Sequence, residues 1–182
     1  MFSFNSPQGA CPDCNGLGVS RYFDPDLIIP DVRKSLAAGA VATVDRKTSA
    51  QLASVFAALA QRYRFELATP WAELSAAARK VVLGGTAGKE VEIEFQKDGK
   101  PHTFARAWEG LIAFFDRRYK ATESPWLRDE LESLMSARPC TGCDGARLRK
   151  ESLAVRVGDK TIAEVSRLSV ADALGFFTAV EL

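Results

Sequence analysis

Cys11-Pro12-Asp13-Cys14-Asn15-Gly16 and Cys140-Thr141-Gly142-Cys143-Asp144-Gly145 decide how this chain is read. Each is C-x-x-C followed by Asn or Asp and then Gly, and the shared tail makes the pair more informative than cysteine spacing alone. In such a knuckle one thiolate binds a metal and the turn folds back so that the second reaches the same ion. A Gly just after it takes positive φ at no steric cost and lets the chain leave. Two knuckles supply four thiolates, the complement of a closed tetrahedral structural zinc site. The expectation is one Zn2+ held by Cys11, Cys14, Cys140 and Cys143, with the stretch from Asn15 to Pro139 looped out between its halves. The competing reading is two local redox or disulfide pairs.

All four cysteines sit in these pairs, unlike the scattered framework of a secreted disulfide protein. The first residues, Met1-Phe2-Ser3-Phe4-Asn5, have neither the basic nor the apolar region of a signal peptide, and no apolar run approaches a membrane span. A cytoplasmic protein is expected. With 182 residues, 47% of them apolar, the chain can bury a real core. A net charge of +1 removes any global attraction to nucleic acid, so such binding must come from a local patch.

Residues 1–18, rich in Asn, Pro and Gly, read as loop, and Phe2 and Phe4 suggest a piece of something longer. The chain is expected to turn around Arg21 to Asp26 and to run extended from Leu27 to Asp31. Ser35 to Ala40 suggests one helical turn ended by Gly39. Leu52, Val55, Phe56, Leu59 and Tyr63 follow three-four spacing and predict an amphipathic helix from Ala50 to Phe65 with Ser49 as its cap. Ser75 caps a short helix stopped at Gly84-Gly85. Val91, Ile93 and Phe95 alternate with Glu92, Glu94 and Gln96, and Asp98-Gly99 turns this strand into a second from His102 to Trp108. Glu109-Gly110 opens a helix through Tyr119, and Ser124-Pro125 another from Trp126 to Met135. Past the second knuckle, strands are expected at Leu153–Val157 and Thr161-Ile162, then a helix capped by Ser169 with Val170, Ala173, Leu174 and Phe177 facing inward. The fold class is α+β: a mixed helical module with a β-hairpin, inserted between two halves of a four-cysteine zinc site.

No active site is legible. Gly84-Gly85-Thr86-Ala87-Gly88-Lys89 has one residue too few between glycines for a phosphate loop, and Glu90 stands where Ser or Thr should hold magnesium, so a helix-to-strand turn is expected. The sole histidine, His102, has no ligand cluster at metal spacing, and no nucleophile-elbow motif supports a hydrolytic triad. Basic residues interleaved with aromatics occur at Arg62-Tyr63-Arg64-Phe65 and Phe115-Asp116-Arg117-Arg118-Tyr119-Lys120, and Arg147, Arg149 and Lys150 follow the second knuckle. Arg62, Arg64, Arg117, Arg118, Lys120, Arg147, Arg149 and Lys150 are the candidate DNA contacts, with phosphate as their partner and the aromatics available for stacking. Read plainly, the same residues are cationic helix ends on a solvated face.

The run from Phe2 to Gly18, Tyr22-Phe23-Asp24-Pro25-Asp26, Arg117 to Ser124, and Arg138-Pro139-Cys140 through Leu148 closely resemble the A subunit of the bacterial UvrABC excision-repair system. The matches lie at both ends and in the middle. The resemblance implies a piece of a dimeric ABC-class ATPase that scans double-stranded DNA for lesions and hands them to the B subunit. Residues 1–18 and 139–182 would belong to its first signature subdomain, each with one zinc knuckle, and 19–138 would be an insertion domain facing DNA. No Walker A, Walker B or L-S-G-G sequence is present, so ATP is expected only in the parent protein and this piece is expected not to be an enzyme. The family carries a further upstream C-x-x-C pair, which leaves Cys11 and Cys14 an alternative partner. The alternative function is a protein-interaction module docking a repair subunit or the dimer mate through Trp71, Trp108 or Trp126.

Overall fold

The computed structural model describes residues 1–42, 46–97 and 100–180, with side-chain surroundings for all of these except 46–49, 95–97, 100 and 101. The chain divides into two compact units, Phe23–Ser136 and Met1–Tyr22 with Ala137–Leu182.

The first of these is helical with one hairpin. It opens with α1 (Pro25–Ile28), a single turn where an extended segment is expected. The Asp24 carboxylate accepts from the Asp26 amide at 3.0 Å and Pro25 pre-sets the first helical φ, which together nucleate the turn. Ser35 to Ala40 forms hydrogen-bonded turns, not a helix, with Gly39 at φ 79. The long helix α2 (Arg46–Tyr63) starts before its predicted cap, so Ser49 lies inside it. Leu52, Val55, Phe56 and Leu59 are buried, as three-four spacing requires. Arg64 follows at φ 55 and the Phe65 amide reaches back to the Ala60 carbonyl, a left-handed stop of the Schellman kind.

A 3-10 turn (Trp71–Glu73) leads to α3 (Ala76–Gly84), capped by Ser75, whose Oγ accepts from the Ala78 amide at 3.1 Å. The turn after α3 is built around Thr86: its buried hydroxyl accepts from the Trp108 amide at 3.1 Å and donates to the Lys89 carbonyl at 2.5 Å. This structural turn is what the glycine-rich segment makes. Strands β2 (Glu90–Lys97) and β3 (Lys100–Ala107) pair antiparallel with Ile93 opposite Phe104 and Val91 opposite Arg106. The predicted Asp98-Gly99 turn lies outside the described residues. Val91 and Ile93 are buried, whereas Glu90, Glu92 and Glu94 on the other face are exposed.

Helix α4 (Leu111–Ala121) supplies the aromatic centre of the core, with Phe115 wholly buried, stacked on Phe23 at 6.0 Å and edge-on to Phe114 at 5.5 Å. Helix α5 (Pro125–Glu132), capped by Ser124, ends earlier than expected, and Met135 already belongs to a strand.

The other unit is a set of tight turns and short elements. β1 (Val19–Phe23) stands where a turn is expected, and it pairs with β4 (Met135–Pro139), which shows no strand period in the sequence. Downstream, α6 (Lys150–Leu153) takes the first residue of the expected strand and Ala154 turns away from it, leaving β5 (Arg156–Val157) and β6 (Lys160–Thr161) as a short ladder. α7 (Ile162–Ser166) carries a complete capping box between Thr161 and Glu164. α8 (Val170–Ala179) is capped by Ser169 as predicted, but its apolar face is bare: Val170, Leu174 and Phe177 are 89%, 69% and 58% exposed. Periodicity marks which face of a helix is apolar; nothing among the described residues covers this one.

Candidate metal centre and nucleic-acid contacts

The two knuckles correspond position by position along the chain, 129 residues apart. Asn15 and Asp144 have φ 50 and 49, and the glycines after them, Gly16 and Gly145, have φ 78 and 77. The Gly18 amide donates to Cys14 Sγ at 3.2 Å, and the Arg147 amide to Cys143 Sγ at 3.3 Å. Each knuckle also holds the other: the Cys11 amide donates to the Arg147 carbonyl at 3.0 Å, and the Cys140 amide to the Gly18 carbonyl at 2.9 Å. The local fold that turns one cysteine pair toward a metal therefore also builds the other.

All four cysteines are buried and free of disulfides, and their Sγ atoms lie within 4.8 Å of one another. Cys11 and Cys140 are 4.0 Å apart and Cys14 and Cys143 3.8 Å. A tetrahedron with metal–sulfur bonds of about 2.3 Å has edges of about 3.8 Å, so these residues fit a tetrathiolate metal ion. Electrostatics point the same way. Burial raises the Cys14 thiol, but the Gly18 amide and the neighbouring sulfurs outweigh it and lower it from 9.0 to about 7. Burial, reinforced by the neighbouring sulfurs, pushes Cys143 up to about 12. The cluster thus gives up a first proton readily and resists accumulating thiolates, a penalty that a divalent cation removes.

The knuckles differ where their side chains meet. The Asp13 carboxylate occupies the space that a side chain at Gly142 would need, and the Arg147 stem occupies that of Gly18. The Arg147 Nε donates to the Gly16 carbonyl at 2.8 Å, and its guanidinium lies 3.8 Å from the centre of the Phe4 ring. These complementary pairs escape a motif search, because only aligning residues 11–18 with 140–147 reveals that Asp13 faces Gly142 and Gly18 faces Arg147.

The basic candidates fall into two groups. In the helical unit, Arg62 and Arg64 are exposed at the end of α2. Arg117 is held by Glu109 through a contact of 2.6 Å from Nη2 and another of 3.1 Å from Nε, and this pairing raises the arginine above its ordinary range. Arg118 is half-buried beside the Phe114 ring, and Lys120 pairs with Asp116 at 2.6 Å one helical turn away. In the other unit, Arg147 is engaged as above, Arg149 has its Nε 3.4 Å from Glu151, and Lys150 is exposed at the start of α6. Of the tryptophans, Trp71 and Trp108 are buried, and the Trp108 Nε1 donates to the Val82 carbonyl at 3.1 Å; only Trp126 is exposed. Burial of two of its three anchors removes most of the surface on which the protein-docking reading relied. His102 lies exposed on β3.

A buried four-thiol cluster whose halves bracket an α+β module in sequence is the class that this geometry defines. Residues 24–133 match the family model described as the UvrA DNA-binding domain. The chain is 42% identical over 178 residues to UvrABC system protein A of Mesorhizobium japonicum, covering 98% of this chain and 18% of that protein. It is 41% identical over 183 residues to that of Salmonella typhimurium, covering 100% of this chain and 19% of that protein. The crystal structure of UvrA2 from Deinococcus radiodurans shares the fold, with a TM-score of 0.69 at 24% identity over 97% of this chain and 23% of that one. The chain belongs to the UvrA family and spans about a fifth of the length of the curated relatives it matches. No helix among the described residues is long and apolar enough to cross a membrane.

Proposed function

We propose that this chain is a zinc-stapled DNA-binding insertion module of an excision-repair damage-recognition ATPase, acting without chemistry of its own. The observation that carries the reading is the match of residues 24–133 to the UvrA DNA-binding domain. In it, residues 1–18 and 139–182 form the base, 19–138 form the insertion, and one structural Zn2+ on Cys11, Cys14, Cys140 and Cys143 ties the flanking segments together. Metal binding then contributes directly to folding free energy. ATP binding, dimerisation, hand-over to the B subunit and a cytoplasmic location belong to the whole protein.

DNA contact is to phosphates and independent of sequence. Arg62 and Arg64, exposed and without carboxylate partners among the described residues, make the leading contacts. Arg118, Lys120 and Lys150 add to them, while Arg117, Arg147 and Arg149 serve partly through the contacts they already hold. The exposed Glu90, Glu92 and Glu94 repel phosphate, so the DNA approaches another side of the module. Fluorescence anisotropy of labelled duplexes, with the zinc-loaded chain across a salt series, tests this. The expected result is weak binding indifferent to sequence, with log affinity falling by about 0.9 per phosphate contact per decade of salt. Absence of binding at low salt would count decisively against it.

A further inference from the structure

A cavity of about 720 Å³ opens between α2, the β2–β3 hairpin and the start of α4. Its volume lies within the range of small-molecule sites. The floor is apolar, formed by Val55, Ile93 and Trp108, all buried. At the rim stands Phe104, 42% exposed although its cross-strand partner Ile93 is only 5% exposed. The exposed part of the ring offers apolar surface that a flat ligand lying against it would bury.

The polar groups around this apolar slot are of a particular kind. Gln51 and Ser54 lie three residues apart on α2, on one helix face, and neither side chain makes a hydrogen bond among the described residues. Arg106 stands two residues beyond Phe104 on the same strand face, about 7 Å along β3, and has no carboxylate partner among the described residues. The facing arginine, Arg117, is neutralised by Glu109, so the free charge at the mouth is positive. An aromatic platform, amide and hydroxyl groups for a base edge, and a cation one strand step away match one nucleotide: base, edge and phosphate. An apolar side chain from a protein partner would leave all three polar groups unused.

We propose that this cavity receives an unstacked nucleobase of the bound DNA, with the ring on Phe104, the base edge at Gln51 and Ser54, and the phosphate at Arg106. The inference rests on the DNA-binding reading above and adds a preference for sites where a base leaves the stack at low cost. The test uses the whole zinc-loaded chain and two duplexes, one fully paired and one with 2-aminopurine opposite an abasic position. Binding of the second is expected to change the 2-aminopurine emission and to be about tenfold tighter than binding of the first. Ser54→Trp, which fills the slot from a half-exposed helix position, is expected to abolish both effects while affinity for the paired duplex stays within about twofold. Arg106→Gln, at an exposed strand position, is expected to weaken the preference without altering the fold, which a melting curve checks. Equal binding of both duplexes without an emission change would overturn the cavity assignment alone. So would an emission change that survives Ser54→Trp. Failure to bind either duplex would overturn the DNA-binding reading and this inference together.

Discussion

The Arg147 Cγ lies where a β-carbon on Gly18 would have to go, 2.7 Å from that position. Gly18 and Arg147 hold equivalent places in the two knuckles, each with positive φ and each with its amide on a cysteine sulfur. One position is bare so that the other can reach across to the Gly16 carbonyl and the Phe4 ring. Asp13 and Gly142 repeat the arrangement in the opposite sense. The two knuckles are complementary in shape, which supports their pairing with each other.

Gly18→Ala is therefore expected to cost more than Gly39→Ala. Both residues have φ near 80, but nothing lies within 4 Å of a β-carbon at Gly39. Backbone strain alone at Gly39 should cost about 1 kcal/mol, and displacement of Arg147 should add about 1–2 kcal/mol at Gly18. Thermal melts of the zinc-loaded variants measure the difference; equal losses would show that the clasp contributes nothing.

Zinc addition to the metal-free chain at pH 8 should release protons, though fewer than four per ion, because Cys14 is already largely thiolate above about 7. Cys143, pushed up to about 12, must lose its proton to bind. Affinity should accordingly fall as the solution is acidified, since protons compete for the same sulfurs. An indicator dye in weak buffer reads the release, and binding without any proton release would contradict the cluster chemistry.

Arg64→Gly should act on stability and on DNA affinity in opposite directions. The residue sits at φ 55 in the stop of α2, where Gly is free of the β-carbon penalty, so stability should rise by up to about 1 kcal/mol. Loss of an exposed cation should weaken DNA binding and reduce the salt slope by about 0.9. A denaturant melt and an anisotropy titration on one sample check both; unchanged affinity would remove Arg64 from the contact surface.

Charge reversal at Arg117 would confuse two roles, because its guanidinium is fixed on Glu109. Glu109→Gln separates them. It is expected to leave the cation in place and strengthen DNA binding by removing a nearby negative charge, with at most about 1 kcal/mol lost from a half-exposed pair. Weaker binding by this variant would mean that the pair itself orients Arg117 for the DNA.

Features carried by local chemistry were legible in the sequence. The three-four spacing of Leu52, Val55, Phe56 and Leu59, the alternation through Val91 and Ile93, and the caps at Ser75, Ser124 and Ser169 all act within a few residues of themselves. The cysteine tails also foretold four thiols close together. Elsewhere the deciding contact lay far along the chain or the local signal was overruled. β1 and β4 are short, lack a clear period and pair with each other across most of the module. Leu27-Ile28-Ile29 reads as extended, yet the Asp24 cap and Pro25 wind its beginning into α1. In α8 the periodicity found the apolar stripe but could not say whether anything covers it. Arg147 reads as one more surface cation because its partners, Gly16 and Phe4, lie at the other end of the sequence.

Anomalous scattering at the zinc edge, from crystals of the purified chain, tests the shared metal site most directly. One peak per chain is expected, about 2.3 Å from the Sγ atoms of Cys11, Cys14, Cys140 and Cys143 together. A peak coordinated by only one of the two knuckles, or two disulfides and no peak, would contradict it.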